Sequence, residues 1–280
     1  MWRVGDGKEM ATVETEGALS LAVSKDGRWI AGGTVRGDVF VWNAKTYEKV
    51  FWNTLTVTEG YRNINGVDFS PDSTRLVSAA SHNRTAIWDI ATRKRVQTLD
   101  HGDGVRAVKY SPQGDRIATA TRHSVRVYDS NDGRLLMETP VKVTPWFNTG
   151  LLWFNNHLFV ISNSKIKRIE ASTGSAVSEW PVPDSTHFAC IALPKQREFI
   201  AYSTLRTITF WDTATHTQLG LVQHPQDIRS IAVSPDDRFL AIGGDDGKIT
   251  INSLFRIAVS ILFRCIVVHM NKFLTPIIFP

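Results

Sequence analysis

Residues 105–129 read VRAVKYSPQGDRIATATRHSVRVYD. Val105, Val108 and Tyr110 form a short apolar run that ends at Ser111-Pro112-Gln113-Gly114, a turn by composition. Arg116 to Thr121 makes a second run. Ser124 to Tyr128 makes a third, with the period-two alternation of a half-buried strand. An aromatic residue followed by an acid, Tyr128-Asp129, then opens another turn. One copy earlier, the segment RVQTL at 95–99 follows such a turn. The stretch therefore predicts four short antiparallel strands per unit, joined by tight turns.

The same unit recurs along the chain. An aromatic or apolar residue, a polar turn and an apolar residue recur in VWNAKTYEKV, IWDIATRKRV, VYDSNDGRLL, RIEASTGSAV and FWDTATHTQL, with INSLF as a sixth copy. The equivalent positions are Trp42, Trp88, Tyr128, Ile169, Trp211 and Asn252, 42 residues apart on average. A second marker, the turn-plus-strand VSKDGRWIAGG, FSPDSTRLVSAA, YSPQGDRIATA and VSPDDRFLAIGG, keeps the same phase. A four-stranded sheet cannot bury both faces alone, whereas sheets stacked radially can. The expected fold is thus an all-β propeller of six four-stranded antiparallel blades. The repeated tryptophan suits a blade-to-blade plate, whose burial contributes about 1.5–3 kcal/mol.

These residues resemble the WD40-repeat family over about 1–253. The resemblance rests on Trp88-Asp89 and Trp211-Asp212, the relaxed pair Trp42-Asn43, the Ser-Pro-Asp turns at 70–72 and 234–236, and His101 and His224 four residues before Val105 and Ile228. It implies an Asp six residues before each Trp, bonded to a His. Here those positions hold Arg36, His82, Arg122, Asn163, Leu205 and Asp246. No complete Asp-His-Trp network is expected, and the blades must rest on apolar packing and strand ladders. The unit at 137–177 is the most degenerate.

Trp2 stands 40 residues before Trp42, so the opening MWRVGDGKEM reads as the tail of a repeat. By the resemblance, residues 8–13 would supply the outer strand of the last blade. Six closed blades are the expectation, with an incomplete or seven-bladed ring as the alternative. Residues 254–280 break the period and form a second segment. Leu254, Ile257, Ala258, Ile261, Cys265 and Val268 fall near one helical face, which predicts a short C-terminal helix packed on the repeats or on a further domain. A helix docked on a membrane surface or a partner is the alternative. Arg256 and Arg264 argue against a span, which needs ~20 apolar residues.

A chain of 280 residues with 42% hydrophobic and 21% charged residues is globular rather than disordered. Two cysteines, Cys190 and Cys265, stand in no metal or disulfide spacing, and the first residues carry no secretory signal. The expected location is the cytoplasm or nucleus. Of the net charge of +5, Arg256, Arg264 and Lys272 supply +3, leaving 29 basic against 27 acidic residues. That balance does not by itself indicate nucleic-acid binding.

No nucleophile elbow, zinc-protease, phosphate-loop or dinucleotide motif is present, so the chain is read as a non-enzyme without cofactor or metal. His101 and His224 occupy repeat positions and read as structural. Cys190 lies in an apolar run and reads as core. The turns between second and third strands carry Arg36, Arg84, Arg122, Lys165 and Arg206, a cation from five of six blades; the sixth carries Asp245 and Asp246. By the resemblance, these turns share one rim with the connections 53–63, holding Tyr61 and Arg62, and 139–149, holding Trp146 and Phe147. Arginine forks recognise carboxylates and phosphates, and aromatics anchor interfaces. The alternative is that they are ordinary solvated turn residues. The function expected is a protein-interaction scaffold for acidic or phosphorylated segments. A nucleic-acid-binding propeller, and less favourably a propeller enzyme, are the rivals.

Overall fold

The structure, a computed structural model, describes residues 10, 17–54, 63–143, 150–162, 165–182, 190–194 and 199–254. They fall in two compact units, Met1–His187 and Phe188–Pro280.

In the first unit, β1 (Ala18–Val23), β2 (Trp29–Thr34), β3 (Asp38–Asn43) and β4 (Lys49–Thr54) form blade 1. Blade 2 is β5 (Ile64–Phe69), β6 (Arg75–Ala80), β7 (Arg84–Asp89) and β8 (Lys94–Asp100). Blade 3 is β9 (Ala107–Tyr110), β10 (Arg116–Ala120), β11 (Ser124–Asp129) and β12 (Leu135–Pro140). Blade 4 is β13 (Leu151–Phe154), β14 (His157–Ser162), β15 (Lys165–Glu170) and β16 (Ala176–Pro181). Each is an antiparallel meander whose strands pair in chain order.

The second unit holds blade 5, made of β17 (Cys190–Ala192), β18 (Phe199–Thr204), β19 (Thr207–Asp212) and β20 (Gln218–Gln223). Blade 6 has three strands among the described residues: β21 (Ile228–Val233), β22 (Phe239–Gly244) and β23 (Ile249–Ser253). The expected outer strand at 8–13 lies outside the described residues except for exposed Met10, and with it the closure it would supply. The expected C-terminal helix lies outside them beyond Leu254. The fold is all-β, of the propeller class, with six blades.

Two turn chemistries repeat. Between first and second strands a serine hydroxyl ties the turn together. Ser24, Ser70 and Ser234 donate to Asp26, Asp72 and Asp236, and accept from the backbone of Trp29, Arg75 and Phe239. Ser111 does the same with Asp115 and Arg116. These turns need one residue at positive φ, supplied by Gly27, Ser73, Gly114 and Asp237. After the third strand, the residue following the aromatic accepts backbone N–H groups in an Asx-type turn: Asn43, Asp89, Asp129 and Asp212. The third-to-fourth ladder shifts register at the aromatic position itself in all five four-stranded blades, between Val41 and Trp42, Ile87 and Trp88, Val127 and Tyr128, Arg168 and Ile169, and Phe210 and Trp211. A bulge there twists the outer strand.

Blades bury their faces against one another. Ala31, Val39, Val41 and Phe51 of blade 1 pack with Ile64, Val67, Leu76 and Trp88 of blade 2, and Phe51 meets Trp88 edge-on at 5.5 Å between centroids. Val77 and Ile87 of blade 2 pack with Val105, Val108, Tyr110 and Ile117. Val125 and Val127 of blade 3 pack with Leu151, Leu158 and Val160 of blade 4. In the second unit, Ala201 and Phe210 pack with Ile228, Leu240 and Ile242. Trp88 is thus the interblade plate expected. Trp42 instead packs with Ile30 and Phe40, and its ring edge covers Gly32 of its own blade.

Candidate functional site

In each meander the first-to-second and third-to-fourth turns fall at one end of the blade. The second-to-third turn and the connection to the next blade fall at the other. The hairpins at this second end carry the cations. Arg36 lies in the β2–β3 hairpin, Arg84 opens β7, Arg122 lies in the β10–β11 hairpin and Lys165 opens β15, all exposed in the first unit. Arg206 lies in the β18–β19 hairpin of the second unit. Tyr61, Arg62, Trp146 and Phe147 lie outside the described residues, as does Asn163.

The Arg36 and Arg122 hairpins are built alike. The Thr34 hydroxyl accepts from the N–H groups of Arg36 and Asp38, and that of Thr121 from His123 and Ser124. A threonine at or just after the end of the second strand therefore locks each turn, with Arg36 two residues and Arg122 one residue beyond it.

Three of the cations meet acids that the turn pattern did not indicate. Arg84 Nε lies 3.4 Å from Asp100, Lys165 Nζ 2.6 Å from Glu179, and Arg206 Nε 2.9 Å from Asp227. Asp100 stands directly opposite Arg84 in the β7–β8 ladder, and Glu179 opposite Lys167, which also reaches it at 3.2 Å. Lys165 and Lys167 hold the Glu179 carboxyl below its ordinary range. Exposed pairs of this kind contribute about 0–1 kcal/mol, but they lower the local positive field. In blade 6, Asp245 is taken by a two-pronged contact from Arg229, at 2.8 and 2.7 Å.

Arg122 makes no ion pair among the described residues. Its neighbour is Arg106, a buried guanidinium that sequence reading missed. Arg106 donates to the Val143 carbonyl, and burial followed by the charge of Arg122 pulls its pKa down, with Asp103 opposing. One Asp103 oxygen accepts from Gly104 N–H at 2.7 Å, and the other is buried without a hydrogen bond among the described residues. Arg106 and Arg122 thus place two guanidiniums near one another at the blade 3 hairpin. The only available sequence signal was an Arg within the apolar run at 105–110.

The histidines are structural. His101 sits between the Leu99 carbonyl (3.1 Å) and the Thr119 hydroxyl (3.0 Å), edge-on to Tyr128. His224 contacts the Gln226 carbonyl at 2.8 Å and Thr250 at 3.4 Å. In blade 2 the Trp88 indole donates to Ser78 at 2.9 Å. In blade 5 Tyr202 occupies the serine's place, and the Trp211 indole N–H finds no hydrogen-bond acceptor among the described residues. Cys190 is buried, its thiol donating to the Arg229 carbonyl. Among the described residues no three His, Cys, Asp or Glu side chains are grouped to hold a metal ion, and no helix is long and apolar enough to cross a membrane.

The family model described as WD domain, G-beta repeat matches residues 52–89, 93–129 and 216–251. The chain belongs to the WD40-repeat family. Each matched WD40 repeat begins near the outer strand of one blade and ends on the third strand of the next, so sequence repeat and blade are offset by one strand. The chain is 24% identical to Protein groucho of Drosophila melanogaster over 193 residues, 65% of this chain and 25% of that protein. It is 34% identical over 77 residues to Small ribosomal subunit protein RACK1 of Glycine max, 28% and 23% of the two chains. With WD repeat-containing protein SL1-17 of Schistosoma mansoni it shares 29% over 146 residues, 49% and 45%. The matched segments thus span between about a quarter and just under half of these relatives. WD40 propellers generally serve as protein-interaction scaffolds and are typically non-enzymatic.

Proposed function

We propose that this WD40 chain is a non-enzymatic scaffold that holds an acidic or phosphorylated protein segment at its second-to-third-strand hairpins. The observation that supports the reading is the run of exposed cations on the second-to-third-strand hairpins of the first unit, Arg36, Arg84, Arg122 and Lys165, with Arg106 beside Arg122. An incoming phosphate would relieve the repulsion between two guanidiniums and meet forked donors suited to it. Arg36, exposed on the blade 1 hairpin, extends the site in the first unit, with Arg84 and Lys165, each paired with an acid, as further contributors. Arg206, with Tyr61, Arg62, Trp146 and Phe147, completes the proposed partner-binding set. Residues 1–253 form the interaction module, 254–280 an accessory segment, and the setting is the cytoplasm or nucleus.

The test is fluorescence anisotropy with three probes: an acidic peptide carrying two phosphoserines, its unphosphorylated form, and an oligodeoxythymidine of equal length. The reading expects the phosphopeptide to bind about ten-fold tighter than its unphosphorylated form, and Arg122→Glu to remove that preference. Tighter binding of the oligonucleotide, falling steeply with salt, would replace the reading with a nucleic-acid-binding one.

A further inference from the structure

At the opposite end of the blades from the cationic hairpins, two polar clefts open in the first unit. One, of about 200 Å³, lies between blades 2 and 3 and is lined by Asp72, Arg75, Tyr110, Gln113 and Asn131. The other, of about 340 Å³, lies between blades 3 and 4 and is lined by Gln113, Asp115, Arg116, Trp153 and Glu170. Gln113 lines both, so the two clefts adjoin at this residue and together form the candidate groove.

Their chemistry differs. The first balances one carboxylate against one guanidinium, and Arg75 is engaged with the Ser130 carbonyl at 3.2 Å. Its floor contains Tyr110, only 6% exposed, whose hydroxyl has no hydrogen-bond partner among the described residues. A buried hydroxyl left unsatisfied is costly, and a group that could pair with it would be favoured there. With no net charge, this cleft suits a peptide main chain or an uncharged polar side chain.

The second cleft carries two carboxylates and one guanidinium. Asp115 accepts from Ser111 at 2.8 Å and has Arg116 at 3.5 Å. Glu170 accepts from Ser172 at 3.1 Å and faces His157 at 3.3 Å. Beside them stands half-buried Trp153, packed on the core below and fixed by its indole N–H to the Asn155 carbonyl at 2.8 Å. A rigid aromatic ring next to surplus negative charge is an arrangement that attracts a cationic side chain.

We propose that this groove binds an extended protein segment whose Lys or Arg side chain lies against Trp153 between Asp115 and Glu170, while its neighbouring residues bond across Gln113 to Tyr110. This partner is opposite in charge to the one proposed for the hairpin end, and the two sites are independent.

The test uses the isotopically labelled chain and the peptide Ac-Gly-Ser-Arg-Ser-Gly-NH2, with versions carrying Ala or Glu in place of Arg. The Trp153 indole resonance is assigned by its loss in Trp153→Phe. The arginine peptide should shift that resonance and the Gly114 amide in the millimolar range, binding about ten-fold tighter than the alanine peptide. The double variant Asp115→Asn, Glu170→Gln keeps the turn acceptors, and so the fold, but should lose that preference. Tyr110→Phe should weaken the arginine and alanine peptides alike. Equal shifts with the glutamate peptide, no shift at millimolar concentration, or an unchanged preference in the double variant would overturn the proposal.

Discussion

His101 shows how a family position is kept when its network is not. It is 4% exposed, and burial holds its imidazole down at about 4, with the Leu99 carbonyl opposing and the charge of Arg126 assisting. Its unfolded value is near 6.5, so between about 6.5 and 4 the unfolded chain binds more protons than the folded one. Stability is complete above that window and falls as pH drops through it, by roughly 3 kcal/mol at most. Asp26 and Asp236, held near 2 mainly by their turn serines, act in the same direction but at lower pH. Their contribution is present above the ordinary carboxylate range and is lost only below it. In His101→Gln the denaturation midpoint should therefore lose most of its slope between pH 4 and 6.5, which urea titrations at a series of pH values can check. The structural role of His101 was legible from its spacing to Val105. Arg106 was not, because a lone Arg in an apolar run gives no sign of whether its charge meets an acid or another cation.

At the scale of strands and turns, the pattern at 105–129 was legible to within two residues, since β9, β10 and β11 span Ala107–Tyr110, Arg116–Ala120 and Ser124–Asp129. Turn chemistry explains this: Ser111 and Asp129 define their turns with their own side chains. What the pattern could not reveal was cross-strand pairing. Arg84 meets Asp100 only because the bulge at Trp88 sets the β7–β8 register, and a bulge leaves little mark in a single strand. Interblade spacing is equally hidden. A Cβ on Gly33 of β2 would stand 2.4 Å from the Ile64 side chain of the next blade and 2.9 Å from the Ser20 hydroxyl. Gly33→Ala should therefore destabilise the first unit by about 1–3 kcal/mol through overpacking, seen as a lower denaturation midpoint. Alanine at Gly27, where a Cβ meets nothing within 4 Å, would be limited to the strain of its positive φ.

For the molecule as a whole, the one-strand offset between WD40 repeat and blade ties neighbours together. The segment 52–89 carries the end of the outer strand of blade 1 and the first three strands of blade 2. Blade 4, the most degenerate in sequence, still forms four strands because Leu158, Val160 and Ile169 keep the apolar alternation after the Trp is lost. The cations were legible by position, and their neutralisation was not: Arg84, Lys165 and Arg206 meet acids. The proposed site is probed first at Arg36 and Arg122 in the first unit, with Arg206 a test of whether the second unit contributes. The most direct measurement is the affinity of the doubly phosphorylated peptide for Arg36→Glu, Arg122→Glu, Arg206→Glu, with circular dichroism confirming the β-fold. The account predicts that binding disappears while the spectrum and denaturation midpoint hold. Binding at wild-type strength by the folded triple variant would contradict it.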